Sequence, residues 1–165
     1  MKTLKQVHDY FEAIRIDGLE KFFYIDGAEN LPQRVMHYFG NINPDGAPTL
    51  LLSVFEAPLQ HINGSQYYGG FAIQLMVVEK VDLQASTTAL IDSKSQTHQL
   101  ILKLIGQMHI DREEQPTGPY RWHFGIEQDR VLPESNIANA GVYGWSVDIN
   151  LALEVNQIMF VDPII

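Results

Sequence analysis

The sequence predicts an α+β domain, a mostly antiparallel sheet with two helices packed on one face, spanning residues 1–165 as a single unit. Three observations lead there. Two segments repeat apolar residues every three or four positions, two internal runs are apolar at nearly every position, and one late run alternates strictly.

The first helix opens with Thr3-Leu4-Lys5-Gln6, a capping box in which Thr3 accepts from a free amide and Gln6 reaches back. Leu4, Val7, Phe11 and Ile14 then share one stripe, and Gly18 is expected to end the element. KFFYID, Lys21–Asp26, is aromatic and branched and stops at Asp26-Gly27, so it reads as a strand. Residues 31–40 fit either a short helix or an extended segment. NPDG, residues 43–46, is a turn, because Pro presets one dihedral and Asp and Gly tolerate the others.

Thr49–Glu56 and residues 71–81 are apolar on two faces, the mark of central strands. Residues 57–70, APLQHINGSQYYGG, join them and are long for a hairpin connection. Tyr67 and Tyr68, with His61, suit an interface there, since an aromatic ring with a polar tip serves both sides of a contact. The alternative is a strand running on through both tyrosines.

Ser93-Lys94-Ser95-Gln96 is a second capping box and is expected to open the second helix. That helix carries Thr97, Ile101, Leu104, Ile105 and Met108 on one stripe, widened by Leu100 and Leu102, and EEQPTGPY at 113–120 breaks it. A strand is expected over 121–132. In the last strand Trp145, Val147, Ile149, Leu151 and Leu153 face inward while Ser146, Asp148, Asn150 and Glu154 face out.

Composition narrows the function. Hydrophobic residues make up 45% and charged residues 19% of the chain, an ordinary globular balance, and there is no cysteine for disulfides, thiolate metal sites or cysteine nucleophiles. The start, MKTLKQVHDYF, lacks the apolar core of a secretory signal, and no apolar run approaches the roughly 18 residues that span a bilayer. A cytosolic product with no membrane partner is expected. The net charge of −9, from 20 acidic and 11 basic residues, opposes tight binding to a nucleic-acid backbone.

Chemistry-bearing patterns are sparse. His8, His37, His61, His98, His109 and His123 include no pair at the four-residue helical spacing of zinc proteases. His109-Ile110-Asp111 comes closest to a ligand cluster, at an expected helix end where a histidine cation also suits the dipole. Gly64, Gly69 and Gly70 make no phosphate loop, and Ser53, Ser65 and Ser146 lack the glycines of a nucleophile elbow. Glu12, Glu56, Glu79 and Asp148 are carboxylates that only the fold could pair. No catalytic residue, metal set or cofactor is assigned.

The succession of amphipathic helix, long-looped hairpin, second helix and closing strands resembles the tail terminator and tail-completion proteins of long-tailed bacteriophages and prophages. The passage from LPESNIANAG, residues 132–141, into VYGWSVDINLAL is similar to the way such chains enter their last strand. The resemblance implies a non-enzymatic structural protein that forms a ring, usually hexameric, and meets the tail tube and head-connector proteins. It further implies a cytoplasmic place during assembly and then one in the virion. Contacts are expected at His61, Tyr67 and Tyr68 in the long loop and at Asn136, Asn139 and Tyr143 around the last strand. The alternative is a small-ligand or protein-binding α+β module of bacterial origin.

Overall fold

The computed structural model describes residues 4–26, 31–56, 59–62, 66–114, 123–126 and 131–154. In chain order the elements are α1 (Leu4–Ala13), β1 (Lys21–Asp26), α2 (Leu31–His37) with a π-helical turn (Tyr38–Ile42), β2 (Thr49–Glu56), β3 (Leu59–Ile62) and β4 (Gln66–Lys80). Then come α3 (Thr87–Glu114), β5 (His123–Ile126), β6 (Leu132–Ile137) and β7 (Val142–Glu154). The strands form one sheet in the order β1-β2-β4-β7-β5, with β3 added to β4 and β6 to β7. Only the β1–β2 pair is parallel. The fold is thus mixed α+β with a mostly antiparallel sheet.

Strand β4 sits at the centre because its side chains are apolar on both faces. Leu75, Met76, Val77 and Val78 are all buried, as are Leu50, Leu51 and Leu52 across the β2 ladder. One face gathers Leu50, Leu52, Leu75, Val77, Val147 and Ile149 against Val7 and Phe11 of α1 and Ile101 and Leu104 of α3. The alternate residues Leu51, Met76 and Val78 meet Val35, Tyr38 and Phe39 of α2 and its π-turn.

Helix α2 is the element that the two-helix expectation lacks. Residues 31–40 fitted either state because the π-turn breaks the 3.6-residue period. The Asn43 amide N–H donates to the Tyr38 carbonyl at 2.7 Å, five residues back, and the widened turn lets Tyr38 and Phe39 both point inward. Asn43 fixes this turn from a fully buried position. Its Nδ2 donates to the Ala47 carbonyl at 3.1 Å and to Thr49 Oγ1 at 2.9 Å, while its Oδ1 accepts from Lys21 Nζ.

Several boundaries differ from expectation. Gly18, at φ 85°, shapes the tight turn between Ile16 and Leu19 rather than capping α1, which ends at Ala13; Thr3 lies outside the described residues. Residues 57–70 are not a plain loop. β3 and the start of β4 pair across it, so the strand runs on through Tyr67 and Tyr68. Helix α3 begins two turns before Ser93, where Ser86 Oγ accepts from the Ala89 N–H at 3.2 Å. Ser93 is therefore an interior, buried residue, and Leu102, expected on the buried stripe, is 48% exposed.

Within the expected strand 121–132, the described residues hold β5 and the first residue of a separate strand, β6, which belongs to the polar stretch 132–141. Ser146, assigned to solvent by alternation, is buried and donates to Glu134 Oε1 at 2.6 Å.

Gly144 lets β7 lie flat on β4. A Cβ there would stand 2.1 Å from the Val77 carbonyl oxygen and 2.7 Å from Val78 Cα. Backbone at those distances cannot yield without breaking the central ladder. Gly144→Ala is expected to cost about 3 kcal/mol or more, read from the urea midpoint of the purified protein.

Candidate functional site

The expected contact residues fall into two groups at opposite ends of β4. His61 pairs with Tyr67 and Gln60 with Tyr68 in the β3–β4 ribbon, and Tyr68 also faces Glu154 of β7. At the other end Tyr143 faces Glu79, Asn136 is the next-to-last residue of β6, and Asn139 sits in the connection from β6 to β7. Tyr68 and Lys80 lie on one strand at roughly 3.3 Å per residue, about 40 Å apart. The six residues therefore mark two surfaces, not one site. Residues 57–58 and 63–65 of the long connection, Ser65 among them, lie outside the described residues.

The β6–β7 connection holds unusual backbone. Asn136, Ala138 and Asn139 have φ of 47°, 57° and 54°, followed by Gly141 at 69°. Asparagine tolerates this left-handed region, but Ala138 carries a Cβ with no local hydrogen bond to offset it. Asn136 Oδ1 accepts the Gly141 N–H at 3.0 Å, and the Ala140 N–H reaches the Ile137 carbonyl at 3.0 Å, so the turn is held closed.

This turn meets two others at the end of the sheet. The Lys80 N–H donates to the Gly46 carbonyl at 3.0 Å and the Val81 N–H to the Gly141 carbonyl at 2.8 Å. A cleft of about 530 Å³ opens between the three turns, lined among others by Pro44, Lys80, Asp82, Leu83, Asn139 and Ala140. Asp45, also in the lining, already accepts two hydrogen bonds from Lys21 Nζ at 2.6 and 2.8 Å, which hold its carboxyl below the usual range. Leu83 is 69% exposed, more than any other large apolar residue among those described. The sequence marked the NPDG turn but carried no signal that it would meet 139–140.

Next to this end lies a half-buried carboxylate. Glu79 sits opposite Tyr143 on the α3 side of the sheet. Burial pushes its carboxyl up, while the Ser93 hydroxyl pulls the other way from a position short of a proper hydrogen bond. Lys94 does not serve Glu79: it donates to Ser135 Oγ at 2.8 Å and stands 5.9 Å over the Tyr143 ring. Trp145 and His98 complete an aromatic surface here, with rings 4.5 Å apart and the indole N–H donating to the Lys94 carbonyl at 2.7 Å.

The remaining chemistry-bearing residues make structural contacts. His8, Asp9 and Glu12 of α1 hold potential ligand atoms within 4.8 Å of one another. Lys5, however, already pairs with Asp9 and holds its carboxyl down, and His8 packs edge-on against Phe22 and Tyr24. Asp111 lies in the last turn of α3, as expected of a helix end. It accepts from the Tyr10 hydroxyl and from Gln107 Nε2, each at 2.7 Å, clamping α1 to α3. Burial first, and the Asp111 carboxylate second, push the Tyr10 phenol well above its ordinary value. Glu79 and Asp148 face opposite sides of the sheet, Asp148 accepting from Gln74 Nε2 at 3.1 Å, so the fold does not pair them. Ser53 is buried in β2 with no hydrogen-bond partner for its hydroxyl.

No family model matches the chain, and neither a curated protein nor a solved structure is similar to it. No helix among the described residues is long and apolar enough to cross a membrane.

Two outcomes follow from this end of the molecule. Relieving the left-handed strain through Ala138→Gly is expected to stabilise the protein by about 0.5–1 kcal/mol in urea unfolding, after the entropy that glycine adds to the unfolded chain. Glu79 has a raised folded pKa, so its stabilising contribution is complete below the ordinary value of 4.5 and is lost as pH rises through the folded value. Thermal melts at stepped pH should therefore show Glu79→Gln and the parent equal in acid. The variant should melt progressively higher as neutrality is approached.

Proposed function

We propose that this chain is a non-enzymatic assembly protein that closes into a ring, in the role of a phage or prophage tail terminator or head–tail joining protein. The observation that carries the reading is that two uncharged stretches of sequence reach opposite ends of one strand. Residues 57–78 and 135–147 contain no Lys, Arg, Asp or Glu, in a chain of net charge −9. The first stretch contains β3 and most of β4, and the second the end of β6, its connection to β7 and the start of β7.

An acidic body repels copies of itself except where charge is missing, and contacts at two different ends are heterologous, the kind that close into rings. With α1 and α3 taken as the pair that closes one face of the sheet, its ends are what is left for partners. The tail tube and head-connector proteins are the partners this role supplies. The acidic balance supports a lumen that DNA passes without tight binding. Cytoplasmic assembly and residence in the virion belong to the same reading.

A second reading, a small-ligand or protein-binding module, is favoured by the cleft of about 530 Å³, whose size lies within the range of ligand pockets. Native mass spectrometry across a concentration series separates the two. A closed ring, most tellingly a hexamer, is expected. A monomer at every concentration that takes up one small molecule would replace the assembly reading with the module.

A further inference from the structure

We propose that Lys94 is a latch on β6 that the charge of Glu79 opens. Its ammonium holds Ser135 while the Glu79 carboxyl is neutral and turns to that carboxyl once it ionises. The three groups meet where α3 crosses the end of the sheet. Tyr143 is the ladder partner of Glu79, and Lys94 Nζ stands 5.9 Å over the Tyr143 ring. Partnered residues on antiparallel strands have Cα atoms about 5 Å apart, so Glu79 and Lys94 flank the same ring. The hydroxyl of Ser93, the residue before Lys94, is buried beside Glu79. One turn of α3 therefore lies over the carboxyl. Lysine carries its charge on a flexible four-carbon stem, so the ammonium can change partners while the helix stays in place.

The two partners are unequal. Lys94 donates to Ser135 Oγ at 2.8 Å, and Ser135 is exposed. It falls in the register shift between Glu134 and Ile137, where the β6–β7 ladder is interrupted. A bond from an ammonium to a solvated neutral hydroxyl is worth less than one to a half-buried carboxylate, where charge assists and water competes less. Burial penalises the ionised form of Glu79, so ionisation there calls for a cation.

Other ionisable groups around Glu79, among the described residues, are engaged or turned elsewhere. On α3, Asp92 is exposed and His98 lies against Trp145. Lys80 alternates to the other face of β4 and lines the cleft, and Asp82 accepts the Gln84 N–H at 2.9 Å. Glu134 of β6 accepts from Ser146. On the β2 side the ladder ends at Thr49 opposite Val78, and Lys21 beyond it is held by Asp45. Opening the latch loosens β6 at its interruption, next to the left-handed residues Asn136, Ala138 and Asn139.

Amide hydrogen exchange of the full chain, followed by NMR from about pH 4 to about pH 8, tests the latch. Rates are expressed as protection factors, so that base catalysis cancels, and the carboxyl carbon shift of Glu79 reports its ionisation separately. Protection of the Glu134 and Ile137 amides is expected to fall roughly threefold or more as Glu79 ionises, the worth of one hydrogen bond. Glu79→Gln should keep the acid level of protection throughout, and Lys94→Met the low level throughout. Ser135→Ala, at an exposed position, should match Lys94→Met and replaces it if that variant misfolds. A pH profile unchanged by Glu79→Gln would overturn the proposal. So would a profile abolished by His98→Gln, or full protection at low pH in Ser135→Ala.

Discussion

The double-sided burial of β4 is the constraint on which the rest of this molecule depends. A strand whose successive side chains Leu75, Met76, Val77 and Val78 are all excluded from water has to be covered above and below. α1 and α3 contribute Val7, Phe11, Ile101 and Leu104 to the cluster around Leu75 and Val77, and α2 with its π-turn contributes Val35, Tyr38 and Phe39 to the one around Met76 and Val78. The strand must also be flanked on both edges, which β2 and β7 do by antiparallel pairing. Gly144 is the local expression of the same demand, since any side chain there would force the β4–β7 ladder apart.

β4 is 15 residues long and β2 only 8, so the two ends of β4 have different neighbours. At one end the strand continues past β2 and pairs with β3 as a ribbon. At the other it stops at Lys80, where three turns are sewn to it by backbone hydrogen bonds. The second end is braced by Asn43, Lys21 and Asp45 and holds residues in a left-handed backbone.

What the sequence made legible follows the same physics. β1 and β2 were readable to the residue, and the core of β4 and β7 nearly so, because burial leaves a dense apolar or alternating pattern. β3 and β6 were not. LQHI and LPESNI carry too few apolar residues to signal a strand, and they are strands because β4 and β7 offer them an edge. The Ser93 pattern was a false helix start, since a capping box is informative only where the chain is not already helical, and Ser86 supplies the start two turns earlier. The residues expected at contacts stand far apart, and their separation was not legible. That depends on the register Tyr68 to Glu154 and Lys80 to Val142, which no local pattern encodes.

Charge placement ties the fold to the assembly it is proposed to serve. The described ion pairs are local: Lys5 with Asp9 along α1, His8 with Asp9 and Glu12, and Lys21 with Asp45 at the sheet end. Exposed pairs of this kind contribute little to stability, so they are poor candidates for what holds the fold together. Lys21 and Asp45 matter for another reason: they neutralise one another where the three turns meet, keeping a net acidic chain from presenting one more bare carboxylate at that end. Other carboxylates lie at both ends of β4, Asp82 in the cleft lining and Glu154 opposite Tyr68. If copies add as proposed, contact falls on the uncharged stretches 57–78 and 135–147 rather than on these carboxylates.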